Sequence, residues 1–173
     1  MFKKAAPVWA KDLIGKKNTM LSFETEVMFE GKQAVIRIAA DALYRLHING
    51  AFVSHGPARC GANYWRVDEI DITSYMKKGS NTIAVSVVSY GVYSYEYVMQ
   101  PGFLQAEVAV DGAVTAATGV EGDFTARQNL SKEVAAERSR ARSCVLENAR
   151  SPIVCKAVAA ERSRVCSCVL WNA

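Results

Sequence analysis

The chain has 173 residues, 50% of them hydrophobic, and a formal net charge of +4. That length suits one domain, or one domain with an appendage, and the apolar content is enough for a sizeable core. No apolar run is long enough for a membrane helix, so no membrane role is expected. The opening MFKKAAPVWAKD has two lysines but no apolar stretch behind them, so a secretory signal is not read and a cytoplasmic location is expected. The charge is uneven: residues 1–130 hold 13 basic and 13 acidic side chains, whereas residues 131–173 hold 8 and 4. The cysteines divide in the same way, with Cys60 in the body and Cys144, Cys155, Cys166 and Cys168 in the tail. An odd total without a secretion signal argues against a disulfide framework.

In chain order, Leu21, Phe23, Thr25 and Val27 alternate with Ser22, Glu24 and Glu26, the two-residue period of a strand with one wet face. Ala34–Ala40 (AVIRIAA) and residues 42–48 (ALYRLHI) read as further strands, apolar on both sides. Asn49-Gly50 then supplies the two positive φ values of a type I′ hairpin turn before AFVS. Residues 64–72 (YWRVDEIDI) predict the next strand, Thr73 the N-cap of one helical turn over SYMKK, and Gly79 its left-handed stop. Residues 81–90 (NTIAVSVVSY) are long and β-branched, which predicts a central strand. Residues 103–110 and 113–118 flank Asp111-Gly112, a second hairpin turn, and residues 123–127 are expected to close the sheet. Many short strands with regular turn signals and no sustained helical period predict an all-β fold, an antiparallel β-sandwich or jelly roll over residues 1–130.

Residues 131–173 form a different kind of sequence. KEVAAERSRARSCVLENA (132–149) and KAVAAERSRVCSCVLWNA (156–173) agree at 14 of 18 positions, at an offset of 24 residues. Ala, Glu and Arg favour helix, yet no apolar stripe is sustained, so this duplicated, basic, Cys-containing tail reads as a short helical or disordered appendage. Cys166 and Cys168 lack zinc-knuckle spacing and have no histidine nearby. The tail's arginines are interleaved with glutamates and accompanied by one aromatic residue, Trp171, so a nucleic-acid partner is not expected.

A resemblance rests on an ordered series of motifs. Leu43-Tyr44 leads to Asn49-Gly50, then Gly56-Pro57-Ala58-Arg59, Tyr64, Asp68, Asp71-Ile72-Thr73 with Tyr75, Gly79-x-Asn81-x-Ile83, Tyr90-Gly91 and Pro101-Gly102. From about Ala6 to Arg127 this series resembles the N-terminal β-sandwich domain of bacterial α-L-rhamnosidases, glycoside hydrolases that remove terminal rhamnose. The resemblance implies a galactose-binding-like sandwich acting as an accessory domain. It also implies truncation before the (α/α)₆ barrel that carries that family's catalytic carboxylates, since 43 residues cannot form one.

Several residues are candidates for chemistry. Glycoside hydrolysis needs two placed carboxyl groups, and the one dense acidic cluster is Asp68, Glu69 and Asp71. Glu69 and Asp71 share a strand face about 7 Å apart, but Asp71 also sits where acidic residues serve a helix start, so no catalytic residue is assigned. His47 is expected at the surface, beside Arg45, and His55 in a loop. Cys60 is expected to be a buried or half-buried filler. No metal site or cofactor is assigned, and calcium, used by some related sugar-binding sandwiches, finds no dedicated loop.

Sugars are held by aromatic faces and a few fixed polar groups. Two clusters offer these: His55, Arg59, Asn63, Tyr64 and Trp65, and the tyrosines Tyr93, Tyr95 and Tyr97, whose two-residue spacing predicts one side of an extended segment. They are candidates for carbohydrate binding or for an interface. The expected function is carbohydrate recognition or substrate orientation without a catalytic module. The alternative is a structural sandwich packed on an (α/α)₆ catalytic domain, and a small standalone glycosidase is the reading of last resort. The expected partners are therefore rhamnose-containing glycans or that catalytic domain.

Overall fold

The computed structural model describes residues 1–61, 64–95 and 97–128. Nine strands are found there: β1 (Thr19–Phe29), β2 (Ala34–Ala40), β3 (Leu43–Ile48), β4 (Ala51–Gly56), β5 (Asp68–Asp71), β6 (Gly79–Ser89), β7 (Leu104–Val110), β8 (Ala113–Ala117) and β9 (Thr125–Gln128). They form two antiparallel sheets, one ordered β4-β3-β6-β1-β9 and the other β5-β2-β7-β8. The expected all-β sandwich is what the described residues form. The duplicated tail, with the helix-or-disorder expectation attached to it, lies outside the described residues.

The two-residue period assembles the core row by row. In the five-stranded sheet, Tyr44, Val87 and Leu21 lie side by side, then Leu46, Val85, Phe23 and Ala126, then Ile48, Ile83 and Thr25. The second sheet answers with Ile36, Val108 and Ala116, and with Ile38 and Ala106. All of these are buried. β6 pairs along 11 positions with β1 and sits third of five strands, which makes it central, as its β-branched run predicts. Trp9 closes one end of this core, its ring 6.0 Å from that of Phe23. It is brought there by an N-terminal strap that bonds Ala6 to Thr118 and Val8 to Leu104.

The turn chemistry holds at both hairpins. Asn49 and Gly50 have φ 51° and 81°, Asp111 and Gly112 have 48° and 82°, and Gly79 has 93°. β9 takes the edge beside β1, pairing over residues 21–24 of that strand.

Three expectations between β4 and β6 need correction. The strand predicted over 64–72 pairs only at Asp68–Asp71, because Trp65 turns away to meet Phe103 and Arg66 folds forward to bond Asp68. The helical turn over SYMKK is a 3₁₀ turn of three residues, Thr73–Tyr75. Thr73 is not its side-chain cap: its hydroxyl accepts the Ala34 N–H at 2.9 Å and donates to the Ala34 carbonyl, tying the turn to β2. The turn's entry is served by Asp71, which accepts the Thr73 N–H at 2.9 Å.

Candidate functional site

Two loops meet at one end of the sandwich. The first leaves β4 at Gly56, where a Cβ would lie 2.6 Å from Asp68 Oδ2 and 3.0 Å from the Tyr44 ring, so only glycine fits. Asp68 is held there by the Tyr44 hydroxyl, which donates at 2.7 Å, and by Arg66 Nε at 3.1 Å. Burial, and then the Asp68 carboxylate, push the Tyr44 phenol far above its ordinary range, so it remains a donor. Beyond this anchor Trp65 packs edge-on against Phe103, at 5.4 Å. Its Nε1–H is buried with no hydrogen-bond partner among the described residues.

The second loop follows β6. Gly91, at φ 62°, lies against the Lys16 backbone and turns the chain outward. The Ser94 N–H then donates to the Tyr97 carbonyl at 3.0 Å, and Ser94 Oγ accepts the Tyr97 N–H at 3.0 Å. This closed turn overturns the extended segment expected for the tyrosines. Tyr97 folds back onto Tyr90, with ring centroids 4.9 Å apart, whereas Tyr93 is 71% exposed and Tyr95 is 95% exposed. The loops touch where the Arg59 guanidinium lies over the Tyr95 ring, 5.6 Å from its centroid.

Between them is a small cleft walled by Asp41, Arg59, Tyr64, Trp65, Tyr97 and Gln100. Its volume is ≈ 40 Å³, room for a few water molecules or a single hydroxyl group but not for a pyranose ring. Asp41 is buried in its wall. Burial raises its carboxyl above the usual range, against opposing hydrogen bonds from Ser89 and Gln100. No motif marks Asp41 in the sequence. Its one signal is its place before Ala42, a non-glycine residue at φ 44°, which becomes visible only in the fold.

The structure thus brings together Arg59, Tyr64, Trp65, Tyr95 and Tyr97, and leaves Tyr93 further out on the second loop. Asn63 lies outside the described residues. His55 is not in a loop: it is an exposed residue of β4, opposite Arg45 on β3. Cys60 is exposed rather than a filler. It stands on the first loop, at the edge of the cleft.

The acidic cluster is engaged in holding the fold. Glu69 pairs with Arg37 at 2.6 Å, Asp68 with Tyr44 and Arg66, and Asp71 with the backbone of Thr73. Hydrogen bonds from Thr73 hold the Asp71 carboxyl below its ordinary range. Glu107, unremarkable in sequence, is fully buried and accepts the N–H groups of Lys3 at 2.8 Å and Lys4 at 3.1 Å and the Arg37 guanidinium at 3.2 Å. Among the described residues no cluster of three or more His, Cys, Asp or Glu side chains is placed to hold a metal, and no helix is long and apolar enough to cross a membrane.

No family model matches the chain, and no curated protein matches it. Solved structures do. A GH78-family rhamnosidase of Bacillus sp. GL1 is 30% identical with a TM-score of 0.66, the match covering 74% of this chain and 14% of that one. The α-L-rhamnosidase of Streptomyces avermitilis, solved with L-rhamnose, is 16% identical with a TM-score of 0.52, covering 88% of this chain and 14% of that one. A lectin from Pleurotus ostreatus, solved alone and with GalNAc, is 16% identical with a TM-score of 0.55, covering 89% of this chain and 41% of the lectin. The described residues therefore form a β-sandwich similar in fold to the matched regions of these rhamnosidases and of this lectin. More particularly, they form the α-L-rhamnosidase type of β-sandwich domain that the motif series from Leu43 to Gly102 implies. The chain spans about one seventh of the length of the rhamnosidases it matches, 14% in each of the two above.

Proposed function

We propose that this chain is an accessory carbohydrate-recognition or substrate-orienting domain of an α-L-rhamnosidase-type glycoside hydrolase, acting at the end of the sandwich where the two loops meet. The observation that carries this reading is Trp65, which walls a cleft beside Tyr64 and the Arg59–Tyr95 stack and whose indole N–H is buried with no hydrogen-bond partner among the described residues. A buried donor lacking an acceptor is rare in folded proteins and favours a ligand that supplies one. The cleft is too small for a pyranose, so the sugar lies across the exposed tyrosine rim and lowers one hydroxyl toward Trp65. Rhamnose suits such a rim because its 6-deoxy methyl group adds apolar surface for an aromatic face.

Titration of the full chain with L-rhamnose, followed by tryptophan fluorescence or calorimetry, tests this. Millimolar binding that is weakened by Trp65→Phe, which keeps the ring and removes the N–H, and lost with Tyr95→Ala is the expected result. Saturable binding unchanged in both variants would sink it.

A second reading has an observation of its own. Tyr93, Tyr95, Val98 and Met99 form an exposed apolar run on the second loop. Such a run suits an interface with a catalytic (α/α)₆ domain in a purely structural sandwich. No rhamnose binding up to tens of millimolar, together with tight association with such a barrel that Tyr95→Ala breaks, would favour it.

A further inference from the structure

The outer face of the five-stranded sheet carries an assembly that the loop cleft does not use. On an unbroken strand, Phe52 and His55 would point to opposite faces, because they are three residues apart. A β-bulge prevents this. Leu46 pairs with Ser54 and His47 pairs with Phe52, which leaves Val53 as the extra residue. The bulge turns Phe52 and His55 to the same face, opposite His47 and Arg45. The Phe52 ring then lies edge-on to His47 at 5.6 Å and stacked with His55 at 6.3 Å, yet it is 54% exposed.

Leu43 and Arg45 complete a trough of ≈ 350 Å³ around these rings. It is an open depression, broader than the ≈ 40 Å³ cleft at the loops. None of the residues lining the trough is acidic. On β6, the neighbours in register are Val88, Ser86 and Ala84. The first carboxylate along these rows is Glu24 on β1, about 10 Å from β3 by the interstrand spacing, and it faces Arg127 at 3.9 Å. The trough therefore combines an aromatic platform with the Arg45 guanidinium and two imidazoles, all of which carry hydrogen-bond donors.

We propose that this trough is a second saccharide site, one that takes a sugar bearing a carboxylate: the apolar face of the pyranose rests on Phe52, the carboxylate meets Arg45, and His47 and His55 bond the ring hydroxyls. Phe52 supplies the contact area, and Arg45 supplies the preference for an acidic over a neutral sugar through a charge-assisted pair. The inference shares with the loop reading the premise that this domain handles saccharides, but it depends on different residues.

The test is NMR titration of the full-length, isotope-labelled chain with sodium glucuronate, with glucose as the neutral control. Saturable shifts are expected at Arg45, His47, Phe52 and His55, with millimolar affinity for glucuronate and about tenfold weaker binding of glucose. Arg45→Gln brings glucuronate down to the level of glucose, and Phe52→Ala abolishes both. Both substitutions are at exposed positions, and a thermal melt verifies that the fold is kept. The proposal is overturned by absence of shifts up to ~50 mM, by equal binding of the two sugars, or by shifts that survive Phe52→Ala and disappear with Tyr95→Ala. Rhamnose binding at the loops without glucuronate binding at the trough leaves the loop reading standing alone, and the converse leaves the trough standing alone.

Discussion

Asn81 shows how much one side chain can organise. It is buried, and its amide donates to the carbonyls of Lys77 at 2.7 Å and Gly79 at 2.9 Å, while its oxygen accepts from the Lys77 N–H at 2.8 Å and from Asn49 Nδ2 at 2.9 Å. Asn49 Oδ1 in turn accepts the Thr82 N–H at 3.1 Å. The Asn-Gly turn is thereby fastened to the start of β6, and Asn81→Ala, which orphans several of these groups, is expected to cost about 2–4 kcal/mol in chemical denaturation. Gly56→Ala presses a methyl group into Asp68 and Tyr44 and is expected to destabilise by about 1–3 kcal/mol. It should also disturb the loop that carries Trp65, read as a change in tryptophan fluorescence. At this scale the turn residues were legible because Asn-Gly and Asp-Gly act through their own backbone angles. The space around Gly56 was not, because the atoms that fill it come from β3 and β5.

Among the elements, the N-terminal strap and the outer face of the four-stranded sheet depend on one charge row. Glu69, Arg37 and Glu107 lie opposite one another on β5, β2 and β7, and Glu107 also receives the strap's backbone N–H groups. Burial by itself would raise the Glu107 carboxyl, but the strap's N–H donors and Arg37 outweigh it and hold the group below its ordinary value. A folded-state value below the unfolded one adds stability that is fully present above the unfolded carboxylate range and is lost as pH falls through the folded value. Melting temperature should therefore fall on acidification below about pH 4. In Glu107→Gln the stability at neutral pH should drop by about 2–4 kcal/mol, with a flatter acid limb. A variant whose acid limb matches that of the parent would show that Glu107 does not set it. In the sequence Glu107 reads as a wet-face residue of an alternating strand. It is buried because the strap crosses over it, and nothing in residues 104–110 announces that crossing.

For the molecule as a whole, the acidic cluster considered for catalysis, Asp68, Glu69 and Asp71, is bonded into the scaffold. Rigorously purified chain is expected to give no turnover of an aryl rhamnoside above background. Asp68→Asn and Glu69→Gln should change stability, through Tyr44 and Arg37, and leave that background unchanged. Turnover abolished by either substitution would reverse the reading. The two sheets also set two separate surfaces, the loop end with Trp65 and Tyr95 and the outer sheet face with Phe52. Their independence is checked by combining Tyr95→Ala with Phe52→Ala: the rings that Phe52 meets are His47 and His55 and the cation that Tyr95 meets is Arg59, so with no shared partner among these contacts the effects on stability should add within about 0.5 kcal/mol.

What the sequence determined by itself was the set of local decisions. A two-residue apolar period must bury one face, Asn-Gly and Asp-Gly must turn the chain, and the ordered series of such signals from Leu43 to Gly102 was enough to identify the domain type before any coordinates. These features act over a few residues, through backbone angles and side-chain alternation. The tertiary structure decided everything that required distant segments to meet: that Thr73 bonds Ala34 rather than its own turn, that Ser94 and Tyr97 close a loop the tyrosine spacing had made straight, that a bulge at Val53 places His55 on a sheet face with Phe52, and that Glu107 is sealed by the N-terminus. Each of these is a contact or a register between segments far apart along the chain, and a local pattern carries no information about which partner will arrive.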